Sequence, residues 1–296
     1  MIRYAITEEE LHRRIGVVAP SWRDRARERT GRFRALGRYD EPSSIWGEIK
    51  SVYAELQHKK CAFCERRLPD LTYGSGEHDV DHFRPKADVL VWPTAKIIAE
   101  RGLAYEFALG SPLPGGYYLL AYHPLNYAIA CRTCNSALKS GFFPVAGERR
   151  SEGDHPRDYA AEQPFLIYPI GDLDADPEDL LTFVGVVCVP KHQDGDLFRR
   201  ALVTIDFFAL NGAGREDLER SRAEVICNLY IAMTVERDLR SSRADRARAA
   251  RVVEYTLSAQ SEQTNCARAF HQLYQQDSAA AGLLALRASD YLASQS

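Results

Sequence analysis

Apolar residues recur with a helical period at both ends of the chain and lose it in the middle. Ile45, Ile49, Val52 and Leu56 fall on one helix face behind Ser43 or Ser44 as a cap. Upstream, Trp22 to Arg38 reads as a long polar helix rich in arginine, and from Phe198 to Tyr291 the amphipathic pattern returns. Between Cys61 and Pro144 short β-like pieces alternate with Gly and Pro punctuation. His78 to His82 alternates polar and apolar residues as a strand does until Pro85 breaks it, which leaves Asp81 and His82 at a strand end. Tyr117 to Tyr122 and Leu125 to Ala130 read as a second strand region, and Asn135 stands at a helix start. Gln163 to Pro190 is loop-rich, with short strands predicted at Leu166 to Tyr168 and Phe183 to Val189. There is no internal repeat.

Composition changes this picture little: 296 residues with 45% hydrophobic and 27% charged positions describe an ordinary soluble, folded protein. No apolar run nears the roughly 20 residues of a membrane helix, and Met1 to Glu10 lacks the character of a signal peptide. The expected address is the cytoplasm, with no membrane partner. Charge is more telling, because the net value of −3 offers a polyanion no general attraction. Met1 to Lys60 holds 13 Lys/Arg against 9 Asp/Glu, whereas Glu152 to Phe198 holds 2 against 11. The acidic stretch should face away from nucleic acid. The arginines from Arg23 to Arg34 could track phosphates, although Asp24 and Glu28 among them suit a solvated helix face.

Of seven cysteines, four form the pairs Cys61-x-x-Cys64 and Cys131-x-x-Cys134, while Cys188, Cys227 and Cys266 stand alone. An odd, scattered set is not a disulfide framework. Two such pairs on tight turns can close a tetrahedral thiolate site around a structural zinc. A redox pair is the alternative, but those motifs occur singly beside a βαβ pattern, which this chain lacks. Zinc binding contributes roughly 10 to 16 kcal/mol of apparent folding free energy in small peptides, enough to order a segment with little core of its own.

The segment between the pairs carries the chemistry. Phosphodiester hydrolysis needs a base to deprotonate water and a divalent cation to offset charge on the phosphate and the leaving oxygen. His82, with an ordinary pKa near 6.5, can be the base at neutral pH. Asp81 and the amide oxygen of Asn135 can hold a hard cation, Mg²⁺ or Mn²⁺, which keeps several waters. Arg84, Lys86 and Lys139 are candidate phosphate contacts. Asp79 reads as a supporting or turn residue, His78 as facing solvent or substrate, and His123 as structural.

The Asp-His pair followed by Pro85, an internal Asn126, and Asn135 directly after a Cys-x-x-Cys pair resemble the HNH, or ββα-metal, nucleases. Asp79-Val80-Asp81-His82 also resembles the HNH domain of RNA-guided DNA nucleases. The resemblance implies His82 as general base, Asp81 and Asn135 as ligands of the catalytic metal, and Asn126 as a brace of the His loop. Asn replaces His at the last motif position. Over roughly Trp46 to Arg222, Cys61-Ala62-Phe63-Cys64-Glu65, His82-Phe83-Arg84-Pro85-Lys86, Tyr117 to Asn126, Cys131 to Lys139 with Phe143-Pro144, Thr204-Ile205-Asp206 and Leu210-Asn211 are similar to the HNH nuclease subunit of Septu-type antiphage systems. That likeness implies DNA cleavage in bacterial defence with a companion ATPase of the ABC or SMC-like type. The stretch from Val89 to Gly116 departs from the pattern.

The expected class is therefore α+β: a ββα-metal HNH core with a Cys₄ zinc site over residues 59–145, a helical region over 1–58, and a loop-rich segment with C-terminal helices over 146–296. Those last helices suit assembly, as a homo-oligomer or against a partner. Two other functions compete: a non-catalytic zinc module that binds nucleic acid or recruits a partner, and an HNH nuclease acting on RNA. The cluster of Asp81, His82 and Asn135 disfavours the first, and nothing in the sequence separates the second.

Overall fold

In a computed structural model, which describes residues 1–69, 76–150, 152–212 and 214–294, the chain is α+β. The order is α1 (Glu8–Val18), α2 (Trp22–Leu36), α3 (Lys50–Leu56), β1 (His78–His82), α4 (Ala95–Arg101), β2 (Tyr127–Cys131), a π-helix (Thr133–Lys139), the single turn α5 (Pro177–Leu180), β3 (Leu181–Val184), β4 (Val187–Pro190), α6 (Gly195–Phe207), α7 (Glu216–Arg237), α8 (Arg243–Leu257), α9 (Thr264–Gln276) and α10 (Ser278–Ser294). No described helix is long and apolar enough to cross a membrane.

β1 and β2 pair antiparallel, with His78 opposite Cys131, Asp81 opposite Ala128 and His82 opposite Tyr127. β2 is buried on both faces, and its outer edge is closed by a side chain: Gln57, just past α3, accepts from Ile129 N at 2.7 Å and donates to Ile129 O at 2.8 Å. Buried backbone groups on an open edge would otherwise lack partners. β3 and β4 form a second hairpin.

A large core spans Met1 to Leu218, and a second lies within α7–α10, with Phe183 of β3 against both. The C-terminal helices are keyed to the first Cys pair. Buried Lys60 donates to Ser261 O and Thr264 Oγ1 at 2.7 and 2.9 Å, Glu65 accepts from Thr264 N at 2.9 Å, and Gln263 donates to Cys64 O at 3.1 Å. Arg222, 1% exposed, donates to Val186 O and Leu210 O and so ties α7 to the β3–β4 hairpin.

Several predicted elements change form. Tyr117 to Tyr122 is a run of 3-10 turns rather than a strand, closed by Tyr117 O to Leu120 N and Tyr118 O to Ala121 N. Local pairing there leaves the Ala121 carbonyl free to face inward. Leu166 to Tyr168 joins no sheet, and Tyr168 N donates to Asp174 instead. The helix at Ile45 starts as a 3-10 turn at Trp46 with Ile45 as its cap, without a serine side chain. α4 and its Thr94 cap lie in the stretch from Val89 to Gly116.

Candidate functional site

Cys61 and Cys64 sit on a turn secured by Cys61 N to Arg66 O and Ala62 N to Ile129 O, both within 3.0 Å. Cys131 ends β2 and Cys134 lies in the π-helix, so strand pairing and helix start deliver two thiols to the turn that holds the other two. All four are buried, and their Sγ atoms lie within 4.8 Å of one another. The Cys64 and Cys131 sulfurs are 3.8 Å apart. That is no disulfide, but it is the spacing of two thiolates about 2.3 Å from a shared tetrahedral zinc. Burial pushes the Cys61 thiol up, while hydrogen bonds from Cys134, Cys61 and Cys64 pull Cys131 down. The Arg215 guanidinium lies 3.9 Å from Cys134 Sγ and offsets negative charge in the cluster. The donor set therefore fits a structural zinc.

One strand length away, Asp81 and His82 end β1. Asn126 clamps the chain just beyond them: its Oδ1 accepts from Arg84 N at 2.8 Å, and its Nδ2 donates to Arg84 O and Leu120 O at 3.0 and 3.2 Å. These bonds hold the backbone two residues past His82. The His82 ring lies edge-on to Trp46 and Tyr127 at centroid distances of 4.7 and 5.0 Å. Its Nε2 is 3.0 Å from Ala121 O. A carbonyl only accepts, so Nε2 carries the proton and Nδ1 keeps its lone pair in the neutral ring. Burial, followed by Lys86, holds His82 well below the usual imidazole range, so the neutral form prevails at pH 7.

Asp81 and Asn135 are not brought together by hydrogen bonding among the described residues. Instead Lys139, at the far end of the π-helix, places its ammonium 3.1 Å from Asp81 Oδ1 and donates to His82 O at 2.5 Å. Lys139 is 1% exposed, which removes it from the phosphate contacts expected of it. Arg84 is also withdrawn, since it is buried in an ion pair with Glu162 and ringed by Tyr117, Phe143 and Tyr159. Lys86 remains partly exposed, over the Trp46 and Tyr39 rings. On α2, Arg25 and Arg34 pair with Glu48 and Asp154 on a solvated face, while Arg29 turns inward to the buried carboxylate of Glu41. Asp79 is exposed and accepts from Val80 N, and His78 is buried with Nε2 3.1 Å from Pro69 O.

A divalent cation finds a partial fit here. Asp81 Oδ2 is buried and has no hydrogen-bond partner among the described residues, so one carboxylate oxygen is available. Burial raises the Asp81 pKa, and the Lys139 charge opposes that rise. The Asp81–His82 pair is covered, however, with His82 only 7% exposed.

A second cluster escaped the sequence reading because its members lie far apart along the chain. Glu8 Oε1 is 3.7 Å from His123 Nε2, and Glu8 Oε2 is 3.2 Å from His155 Nε2. Both imidazoles accept backbone N–H groups at Nδ1, from Leu125 and Arg157 at 3.2 and 3.1 Å. Their neutral forms thus carry the proton on Nε2, facing the carboxylate, whereas metal ligation there would need the opposite tautomer. Burial, then the neighbouring His155, lowers His123 to about 4. No family model, curated protein or solved structure matches the chain.

Proposed function

We propose that this chain is a metal-dependent nuclease of the HNH type that hydrolyses phosphodiester bonds in DNA, with a structural zinc on Cys61, Cys64, Cys131 and Cys134. The observation that carries the reading is the state of His82: fixed at a strand end behind the Asn126 clamp, neutral, with Nε2–H engaged and Nδ1 making no hydrogen bond among the described residues. A ring so held can take a proton. In the proposed reaction His82 Nδ1 accepts the proton of an attacking water as the new P–O bond forms. The bond to the leaving oxygen then breaks, and that oxygen is protonated from solvent. Asp81 and Asn135 would hold Mg²⁺ or Mn²⁺, whose charge offsets that on the phosphate and the leaving oxygen. Lys86, half-buried over the Trp46 and Tyr39 rings, would meet a phosphate in this reading.

The resemblance to Septu-type nucleases extends the proposal to antiphage defence beside an ABC or SMC-like ATPase. One observation favours the rival reading of a zinc module that binds without cutting: the Lys139 ammonium already neutralises Asp81, in a site with little exposure. Plasmid DNA incubated with the purified chain and Mg²⁺ or Mn²⁺, with and without the product of its genomic neighbour, separates the two. Cleavage that disappears in His82→Ala, with zinc content and DNA binding retained, supports the nuclease. Cleavage that persists in that variant overturns the assigned site. An RNA substrate in parallel tests the third reading.

A further inference from the structure

Against the His82 loop, where Phe83, Arg84 and Asn126 form part of the wall, lies a cavity of about 720 Å³. That volume is within the range of small-molecule sites, roughly 300 to 1,000 Å³. Its inner wall is apolar and aromatic, with Phe83, Phe165 and Tyr168 all buried and Phe107 stacked on Phe165 at a centroid distance of 5.3 Å. Its charged groups are Arg84, Arg157, Arg199 and Arg200, with the carboxylates of Asp174 and Asp196 beside them.

Arg157, Arg199 and Arg200 each lean on an aspartate. Arg157 meets Asp172 and Arg199 meets Asp196, at 2.9 and 2.7 Å, in pairs 44% to 82% exposed. Exposed pairs contribute about 0 to 1 kcal/mol, so either guanidinium can turn to a better acceptor at little cost. Arg200 is more enclosed, at 17% exposure, and bonds Asp174 at 2.6 Å. Its Nε is buried and has no acceptor among the described residues, although a buried donor normally has one. The Arg199 guanidinium also lies 5.7 Å from the Phe107 ring centroid, so a cation and an aromatic face stand side by side.

We propose that this cavity binds a nucleotide, its planar ring against the aromatic wall and its phosphate on Arg157, Arg199 and Arg200. An apolar ligand would leave the three guanidiniums and the orphaned Nε unused, and a bare anion would leave the aromatic wall empty. A nucleotide uses both, and planar guanidiniums match phosphate oxygens two at a time. Phe83 and Asn126 line the same cavity and belong to the His82 loop and its clamp, so an occupant touches the back of the candidate active site. The binding claim does not rest on the proposed nuclease activity.

Isothermal titration calorimetry of the full chain with AMP and ATP tests it, with adenosine, inorganic phosphate and a short single-stranded oligonucleotide as separate arms. The expected result is one site for AMP or ATP, with adenosine and phosphate each at least about tenfold weaker. Arg199→Ala and Arg157→Ala should each weaken binding about tenfold, the loss of one charge-assisted hydrogen bond. Both positions are surface-exposed, and unchanged zinc content and unfolding midpoint verify that the variants fold. His82→Ala should bind as the parent does. No binding of either nucleotide at millimolar concentration overturns the proposal, as do affinity unchanged in the double arginine variant, affinity lost in His82→Ala, or binding by the oligonucleotide alone.

Discussion

Replacing Lys139 by Met keeps the length of a buried side chain and deletes one charge, leaving Asp81 without its ion-pair partner in a site where it is 2% exposed. At 3.1 Å, two unit charges interact by about 5 kcal/mol at an effective dielectric of 20. The chain can escape part of that loss by protonating Asp81. The escape costs about 1.4 kcal/mol per pH unit above the unfolded carboxyl pKa near 3.9, so it caps the damage at about 4 kcal/mol at pH 7 and about 1.5 kcal/mol at pH 5. The sign follows from the direction of the shift. Burial raises the folded Asp81 pKa, and without Lys139 only the weaker pull of Lys86 opposes the rise, so the folded state holds its proton to higher pH than the unfolded chain. The penalty is then absent below the unfolded pKa and grows as pH rises. Urea unfolding at pH 5 and pH 7 should show K139M destabilised at both, by less at the lower pH. D81N/K139M, which has neither charge, should recover most of the stability lost by K139M at pH 7. A K139M variant within about 0.5 kcal/mol of the parent at pH 7, or one equally destabilised at both pH values, would refute the buried pair as the cause.

Four further outcomes are expected. Elemental analysis should find one zinc per chain, and Cys64→Ser should lose both the metal and the folded state, since a structural site contributes its binding energy to folding; soluble, folded protein without zinc defeats that assignment. Asn126→Ala removes three buried hydrogen bonds and strands the Arg84 N–H, so chemical denaturation should show a loss of about 2 to 4 kcal/mol, and a loss under 1 kcal/mol would deny the clamp its role. On the proposed activity, His82→Ala should lower the cleavage rate about 10²- to 10⁴-fold. Because burial depresses the His82 pKa, kcat/KM of the parent should stay level as pH falls from 8 to 6 and decline only well below 6.5, so a break at 6.5 argues for an exposed imidazole.

Much of the fold was legible because periodicity reports burial. The helices flanking the Cys pairs and the strand ending at His82 follow alternations visible in the residues, whereas the single strand expected over Phe183 to Val189 reverses at Gly185-Val186 into the β3–β4 hairpin. The same rule misled at Tyr117 to Tyr122. An apolar run says that a segment is buried without saying what its backbone bonds to, and here i→i+3 turns satisfy it while the Ala121 carbonyl serves His82 and the Tyr127 hydroxyl. Leu166 to Tyr168 fails as a strand for the same reason: its backbone partners are a side chain and isolated bridges on either side, not a sheet.

At the site, the residues of the motif were legible and the ion pairing was not. Adjacency in sequence put Asn135 beside the zinc by way of Cys134, and chemistry made it a natural companion for Asp81. Strand register explains why another residue takes Asp81's oxygen. His78 is opposite Cys131 at the zinc end of β1, so His82 lies four residues further on, about 13 Å along the strand. The π-helix starts at that same zinc end, and the residue whose long side chain meets Asp81 comes from its last position, Lys139, and not from its first turn. A lysine after Ala137-Leu138 carries no mark in sequence that distinguishes a buried counter-ion from a solvated charge. Its burial is a consequence of the helix running back along the hairpin, which only the assembled fold defines. The Asp81–Lys139 pair therefore sets a condition on the proposed nuclease reading: a cation reaching Asp81 Oδ2 would either share the carboxylate with Lys139 or displace it, and divalent-cation binding to K139M, read beside any cleavage it supports, distinguishes those two arrangements.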